Sequence, residues 1–150
     1  MRRKKNTTSF EVLAKLIHVY LKEEGFGGLN FRGYKETLSL YSHIDDVHLP
    51  EIYDLTTDCL LWNHYFIDLE ALMELKYEEW LLEADRLKAL EERANPDRIL
   101  DEAIKKATER AKHYKLFVKH CKSQRIFFQK AYEHCLDMYK QGLKGFARTM

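Results

Sequence analysis

From Pro50 to Arg93 the chain reads PEIYDLTTDCLLWNHYFIDLEALMELKYEEWLLEADRLKALEER, with no glycine and no second proline. Counted by sevens from Ile52, the positions Ile52, Cys59, Phe66, Met73, Trp80, Leu87 and Ala94 are all apolar. The interleaved positions are Leu55, Trp62, Leu69, Lys76, Glu83 and Leu90, so only Lys76 and Glu83 break the pattern. This spacing predicts a helix with a heptad seam, opened by a proline that suits the first helical turn.

Asn95-Pro96 then restarts the chain, with Asn95 read as N-cap and Pro96 as the first helical residue. The second run places Leu100, Ile104, Ala107, Ala111, Tyr114, Val118, Cys121, Phe128, Tyr132, Cys135 and Tyr139 at helical spacing, interrupted by Arg125 and closed by Gly142. Each run is about 45 residues, or roughly 65 Å as one helix. Two such helices joined tightly fold back on each other. The fold expected is all-α: a long, coiled-coil-like antiparallel hairpin over 50–150, with a small N-terminal helical subdomain over 1–49. Aromatics such as Trp62, Tyr65, Phe117 and Phe127 should be left beside the seam, and spare apolar surface of that kind predicts a homo-oligomer.

The N-terminal part begins with a basic arm, Arg2-Arg3-Lys4-Lys5. Thr8-Ser9-Phe10-Glu11 fits a capping box with Thr8 as N-cap. Leu13, Leu16, Ile17, Tyr20 and Leu21 carry the helix on to Gly25, a candidate C′ residue. The stretch Gly25-Phe26-Gly27-Gly28-Leu29-Asn30-Phe31-Arg32-Gly33-Tyr34 holds four of the six glycines and reads as a loop. Its aromatics either tuck under the first helix or, with Arg32 and Lys35, stack nucleobases. A short helix and a turn should fill 35–49.

Charge is partitioned although the total is only +1. Residues 51–94 carry 4 basic and 12 acidic side chains, residues 97–150 carry 13 basic and 6 acidic. Within 105–130, Lys105, Lys106, Arg110, Lys112, Lys115, Lys119, Lys122, Arg125 and Lys130 face only Glu109. Lys112, Lys115, Lys119 and Lys122 recur at i, i+3, i+7 and i+10, one continuous helix face. A line of ammonium groups on a helix suits a phosphodiester backbone, and Phe117, Phe127, His113 and His120 could add stacking favourable to single strands. The alternative is structural: an acidic helix paired with a basic one through flanking ion pairs, in an adaptor or inhibitor that binds another protein.

Enzymatic chemistry is not written in the sequence. Cys59, Cys121 and Cys135 form no C-x-x-C and sit on apolar stripes, as reduced core thiols in an intracellular, cytoplasmic protein would. No H-E-x-x-H, G-x-S-x-G or P-loop occurs. Asp45-Asp46-Val47-His48 could hold a cation but is better read as a turn. No apolar run reaches the ~18–20 residues of a membrane span. The reading is a non-enzyme without cofactor, metal or membrane segment.

The C-terminal residues 127–146 (FFQKAYEHCLDMYKQGLKGF) resemble the end of UvsY-type phage recombination mediators, an apolar helix followed by a basic-Gly turn and a short amphipathic segment. The preceding acidic helix and its basic Arg86-Leu87-Lys88 are similar as well, so the likeness covers 50–150. In place of the family's paired tyrosines and glycine stands Glu91-Glu92-Arg93. The resemblance implies a homo-oligomer that binds single-stranded DNA, has no active site, and helps a RecA-type recombinase displace the single-strand-binding protein. It also adds Arg86 and Lys88 to the candidate DNA contacts.

Overall fold

The computed structural model describes residues 6–93 and 98–149, and within them the chain is four α-helices with no strand. These are α1 (Asn6–Glu23), α2 (Phe31–Ser42), α3 (Leu49–Arg93) and α4 (Arg98–Thr149), with a 3-10 turn at Ile44–Asp46. The two long helices pack against each other, so the all-α hairpin with N-terminal helices stands. The basic arm, Ala94 and the Asn95-Pro96 cap fall outside the described residues.

Several boundaries move. Helix α1 is already under way at Asn6, so Thr8 lies inside it and is not its cap. Its other end is as expected: Gly25 adopts φ 87°, its N–H reaches Lys22 O at 3.1 Å, and the Phe26 N–H reaches Leu21 O at 2.9 Å. That is a Schellman closure, and the left-handed residue favours glycine. Helix α2 starts within the stretch read as a loop, because Asn30 Oδ1 accepts the Gly33 N–H at 3.1 Å and caps it. Helix α4 does not stop at Gly142. The glycine lies instead against the Leu49 side chain, where a Cβ would collide. Close approach, not termination, explains it, and the basic-Gly segment 140–145 is helical.

The chain forms two compact units: residues up to Tyr65 with those from Gln124, and Phe66–Ser123. The first has its core in Ile17, Tyr34, Leu55, Cys59, Phe128 and Cys135, each at most 1 % exposed. Tyr34 of α2 packs edge-on to Trp62 at 5.6 Å and to Phe128 at 6.1 Å. Phe127 meets Tyr41 of α2 at 5.7 Å, and Tyr53 of α3 meets Tyr139 of α4 at 5.4 Å. Aromatics expected to lie spare beside the seam, Trp62 and Phe127 among them, therefore serve as the bed for α2. The Cys59 thiol is pushed up by its hydrogen bond with Cys135 and by burial, as suits an inert core thiol.

The second unit pairs the rest of α3 with the first half of α4. Phe66, Met73, Tyr114, Phe117 and Cys121 are at most 1 % exposed. Further along, Ala84, Leu87 and Ala107 form a cluster flanked by Trp80, Leu100, Ala103 and Ile104. Past Met73 the buried line runs through Ala84 where the heptad count gives Glu83, with Tyr77 half-buried beside Lys76. A helix of 3.6 residues per turn drifts by ~20° per heptad against a 3.5 repeat, and here Ala84 enters the core in place of Glu83 while Trp80 and Leu87 keep their heptad places. Lys76 and Glu83 consequently sit at the edge of the seam. Lys76 Nζ pairs with Glu79 Oε1 at 3.0 Å, and Glu83 takes Arg86 at 2.8 Å.

Candidate nucleic-acid interface

The basic residues of α4 divide by depth. Arg110 is half-buried with its guanidinium 5.8 Å from the centre of the Trp80 ring on α3, so this cation helps hold the hairpin together. Arg125 is also half-buried, and its carbonyl accepts the Asn63 Nδ2–H at 2.8 Å. It belongs to the first unit, as does the exposed Lys130.

Lys105, Lys106, Lys112, Lys115, Lys119 and Lys122 are all exposed. Among the described residues none of these six has a carboxylate partner. The ion pairs at Lys76–Glu79, Glu83–Arg86 and Arg98–Glu102 each join residues of one helix. None of these pairs therefore joins the lysine stripe to α3. At about 100° per residue, Lys112, Lys115, Lys119 and Lys122 lie to one side of the buried line Ala107–Ala111–Tyr114–Cys121. Lys105 and Lys112 share an open groove with His113 on the α4 surface.

Of the four residues expected to stack on a strand, Phe127 is 37 % exposed and lies edge-on to Tyr41, His113 is half-buried, and Phe117 and His120 are buried. Phe117 is fully buried, stacked on His113 at 6.3 Å and edge-on to Tyr114 at 5.6 Å. His120 is 7 % exposed, and burial lowers its pKa below the ordinary 6.5. Both face inward because the apolar stripe of α4 is wider than the heptad count allows. In the N-terminal segment Tyr34 is a core residue, whereas Phe31 is half-buried between the ammonium groups of Lys15 and Lys35, at 5.7 and 5.4 Å from the ring centre.

The two residues carried over from the resemblance behave differently. Arg86 is engaged by Glu83, which hydrogen-bonds both Nε (2.9 Å) and Nη2 (2.8 Å). Lys88 is exposed and lies with Lys112 and Lys115 around a groove of about 200 Å³ between α3 and α4. The groove brings in Tyr77 and Thr108, which sequence reading missed. A signal existed. Tyr77, Ala84 and Lys88 are spaced i, i+7, i+11, and Thr108, Lys112 and Lys115 are spaced i, i+4, i+7, one face on each helix.

Elsewhere Asp45 and Asp46 belong to the 3-10 turn, closed by the Asp46 N–H on His43 O at 2.9 Å and the Val47 N–H on Ile44 O at 3.1 Å. Among the described residues no three His, Cys, Asp or Glu side chains are gathered to hold a metal, and no helix is long and apolar enough to cross a membrane. No family model, curated protein or solved structure matches the chain.

Proposed function

We propose that the protein binds single-stranded DNA through the exposed lysine stripe of α4 and acts as an accessory factor in recombination. The observation that carries this reading is the set Lys112, Lys115, Lys119 and Lys122, exposed on one face and without carboxylate partners among the described residues. Unpaired ammonium groups repel one another, and a polyanion relieves that repulsion while releasing its counterions. Arg110 stands apart as an inner cation engaged with Trp80.

The finer role is that of a mediator, and it rests on the resemblance of 50–150 to the UvsY type. In that role the protein assembles with copies of itself, engages a RecA-type recombinase and helps it replace the single-strand-binding protein. It uses no cofactor, catalyses no covalent step, and works inside the cell, where three free buried cysteines stay reduced. Several weak basic faces on one assembly would hold a strand by avidity.

The test is a titration of labelled single-stranded and duplex oligonucleotides at two salt concentrations. Preference for the single strand, with affinity falling steeply as salt rises, is the expected result. No binding at low salt would return the basic helix to the adaptor reading. The mediator role is read by the rate at which a RecA-type recombinase assembles on strands coated with single-strand-binding protein, with and without this chain.

A further inference from the structure

The groove between α3 and α4 in the second unit has two chemically distinct parts. Its wall and floor are Tyr77 and Ala84 from α3 with Ala111 from α4, and its rim carries Lys88, Lys112 and Lys115. At about 200 Å³ it is smaller than the ~300–1,000 Å³ of sites that enclose drug-sized ligands. An apolar slot with an aromatic wall suits a flat ring, and three ammonium groups around its mouth suit the phosphates on either side.

From this geometry we infer that the groove is a nucleobase subsite: one base of the bound strand enters beside Tyr77, while Lys88 and Lys115 take the flanking phosphates. The inference rests on the proposed single-strand binding and deepens it. A lysine stripe alone follows the backbone and is indifferent to bases. A base slot makes binding depend on an unstacked base, which a duplex does not offer. Preference for single strands then has a place in the molecule, which the buried Phe117 and His120 cannot supply. Lys112 belongs to both stripe and groove, so the strand would pass from one to the other without a gap in positive charge. Asp85 also lines the groove. Its carboxylate can accept a hydrogen bond from an exocyclic amine or, for thymine, from the ring N3–H, and it repels phosphate from the slot itself.

The experiment compares a fluorescein-labelled oligothymidylate with an abasic strand of equal length, using the full chain. Wild type should bind the normal strand more tightly. Removing a stacking aromatic typically weakens a strand complex by roughly 5- to 150-fold. Tyr77→Ala should therefore weaken oligothymidylate binding within that range, leave abasic binding unchanged, and erase the preference. Tyr77→Phe should keep most of the preference, and Tyr77→Leu, which refills the volume without an aromatic face, should lose it even if the alanine variant is unstable. Lys88→Ala should weaken both strands alike. If Tyr77→Leu and Lys88→Ala bind as wild type does while Lys119→Ala binds more weakly, the groove is empty of nucleic acid and only the stripe reading survives. If wild type binds neither strand, the proposed function fails and the subsite with it.

Discussion

The Tyr34 hydroxyl donates a buried 2.6 Å hydrogen bond to Oε1 of Gln124, 90 residues further along the chain. Gln124 is only 4 % exposed and stands one residue before Arg125, where the sequence pattern of the second run breaks. This bond fixes α2 on the long helices of the first unit, with the Tyr34 ring against Trp62 and Phe128.

Tyr34→Phe keeps the ring packing but leaves the Gln124 carbonyl without its donor. An unsatisfied buried group costs about 1–3 kcal/mol. A urea titration should show that loss. Adding Gln124→Leu should recover part of it, since the second change removes the orphaned group. A double variant that loses the full sum would show that Gln124 has other duties.

For the lysine stripe, Lys115→Ala and Lys119→Ala should each weaken binding to every single-stranded sequence alike and lower the slope of log K against log salt by roughly 0.7 per lost phosphate contact. Both side chains are exposed and without ion-pair partners among the described residues, so the melting temperature should hold. Unchanged DNA binding with a clear drop in melting temperature would give the helix a structural role instead.

Glu83 stands at an expected seam position, yet its side chain is 38 % exposed and pairs with Arg86 one turn on. Arg86 holds its carboxyl below the usual carboxylate range through their hydrogen bond. An ion pair this exposed is screened by water and contributes little. Glu83→Leu should therefore leave the melting temperature nearly unchanged. A large loss would mean that the carboxylate satisfies a buried partner.

Acid should destabilise the second unit through His120. Burial lowers its pKa in the folded chain below the ordinary 6.5. Near and below that ordinary value the unfolded chain binds more protons than the folded one, so stability falls as pH drops through 6.5 toward the folded pKa. The limiting slope for one proton is about 1.4 kcal/mol per pH unit. Melting curves of wild type and His120→Gln between pH 7.5 and about pH 5 should diverge in that window, the variant showing the shallower decline. Parallel curves would remove His120 as the source.

Self-association has a specific motive in the second unit. Ile67, Leu75 and Leu82 of α3 are 46, 56 and 67 % exposed. At about 100° per residue they share the face of α3 opposite its buried line. Large apolar side chains exposed on one helix face, here with Glu78 between Leu75 and Leu82, are a candidate interaction site. Light scattering should detect more than one chain per particle at micromolar concentration, and Leu75→Glu with Leu82→Glu should lower that number. A strict monomer at high concentration would refute the self-assembly reading.

The sequence by itself determined the helical hairpin. A breaker-free heptad run from Pro50 and a second apolar run after Pro96 leave two long helices little choice but to pair, because the period of the pattern fixes which face is buried. It also determined the lysine stripe, since i, i+3, i+7 spacing is a property of any helix. Only the tertiary structure decided how deep each side chain lies. Whether Phe117 and Trp62 are spare depends on what covers them, and Tyr34 shows that a segment 28 residues before Trp62 does part of the covering. Likewise Gly142 has the same backbone freedom at a helix end or at a close crossing, and the Leu49 side chain settled which role it plays. The groove at Tyr77 was legible only as two unrelated helix faces, because its existence depends on the register between α3 and α4. The sequence marks the place only through Lys76 and Glu83, where the heptad pattern breaks because the difference between 3.5 and 3.6 residues per turn has accumulated along the helix.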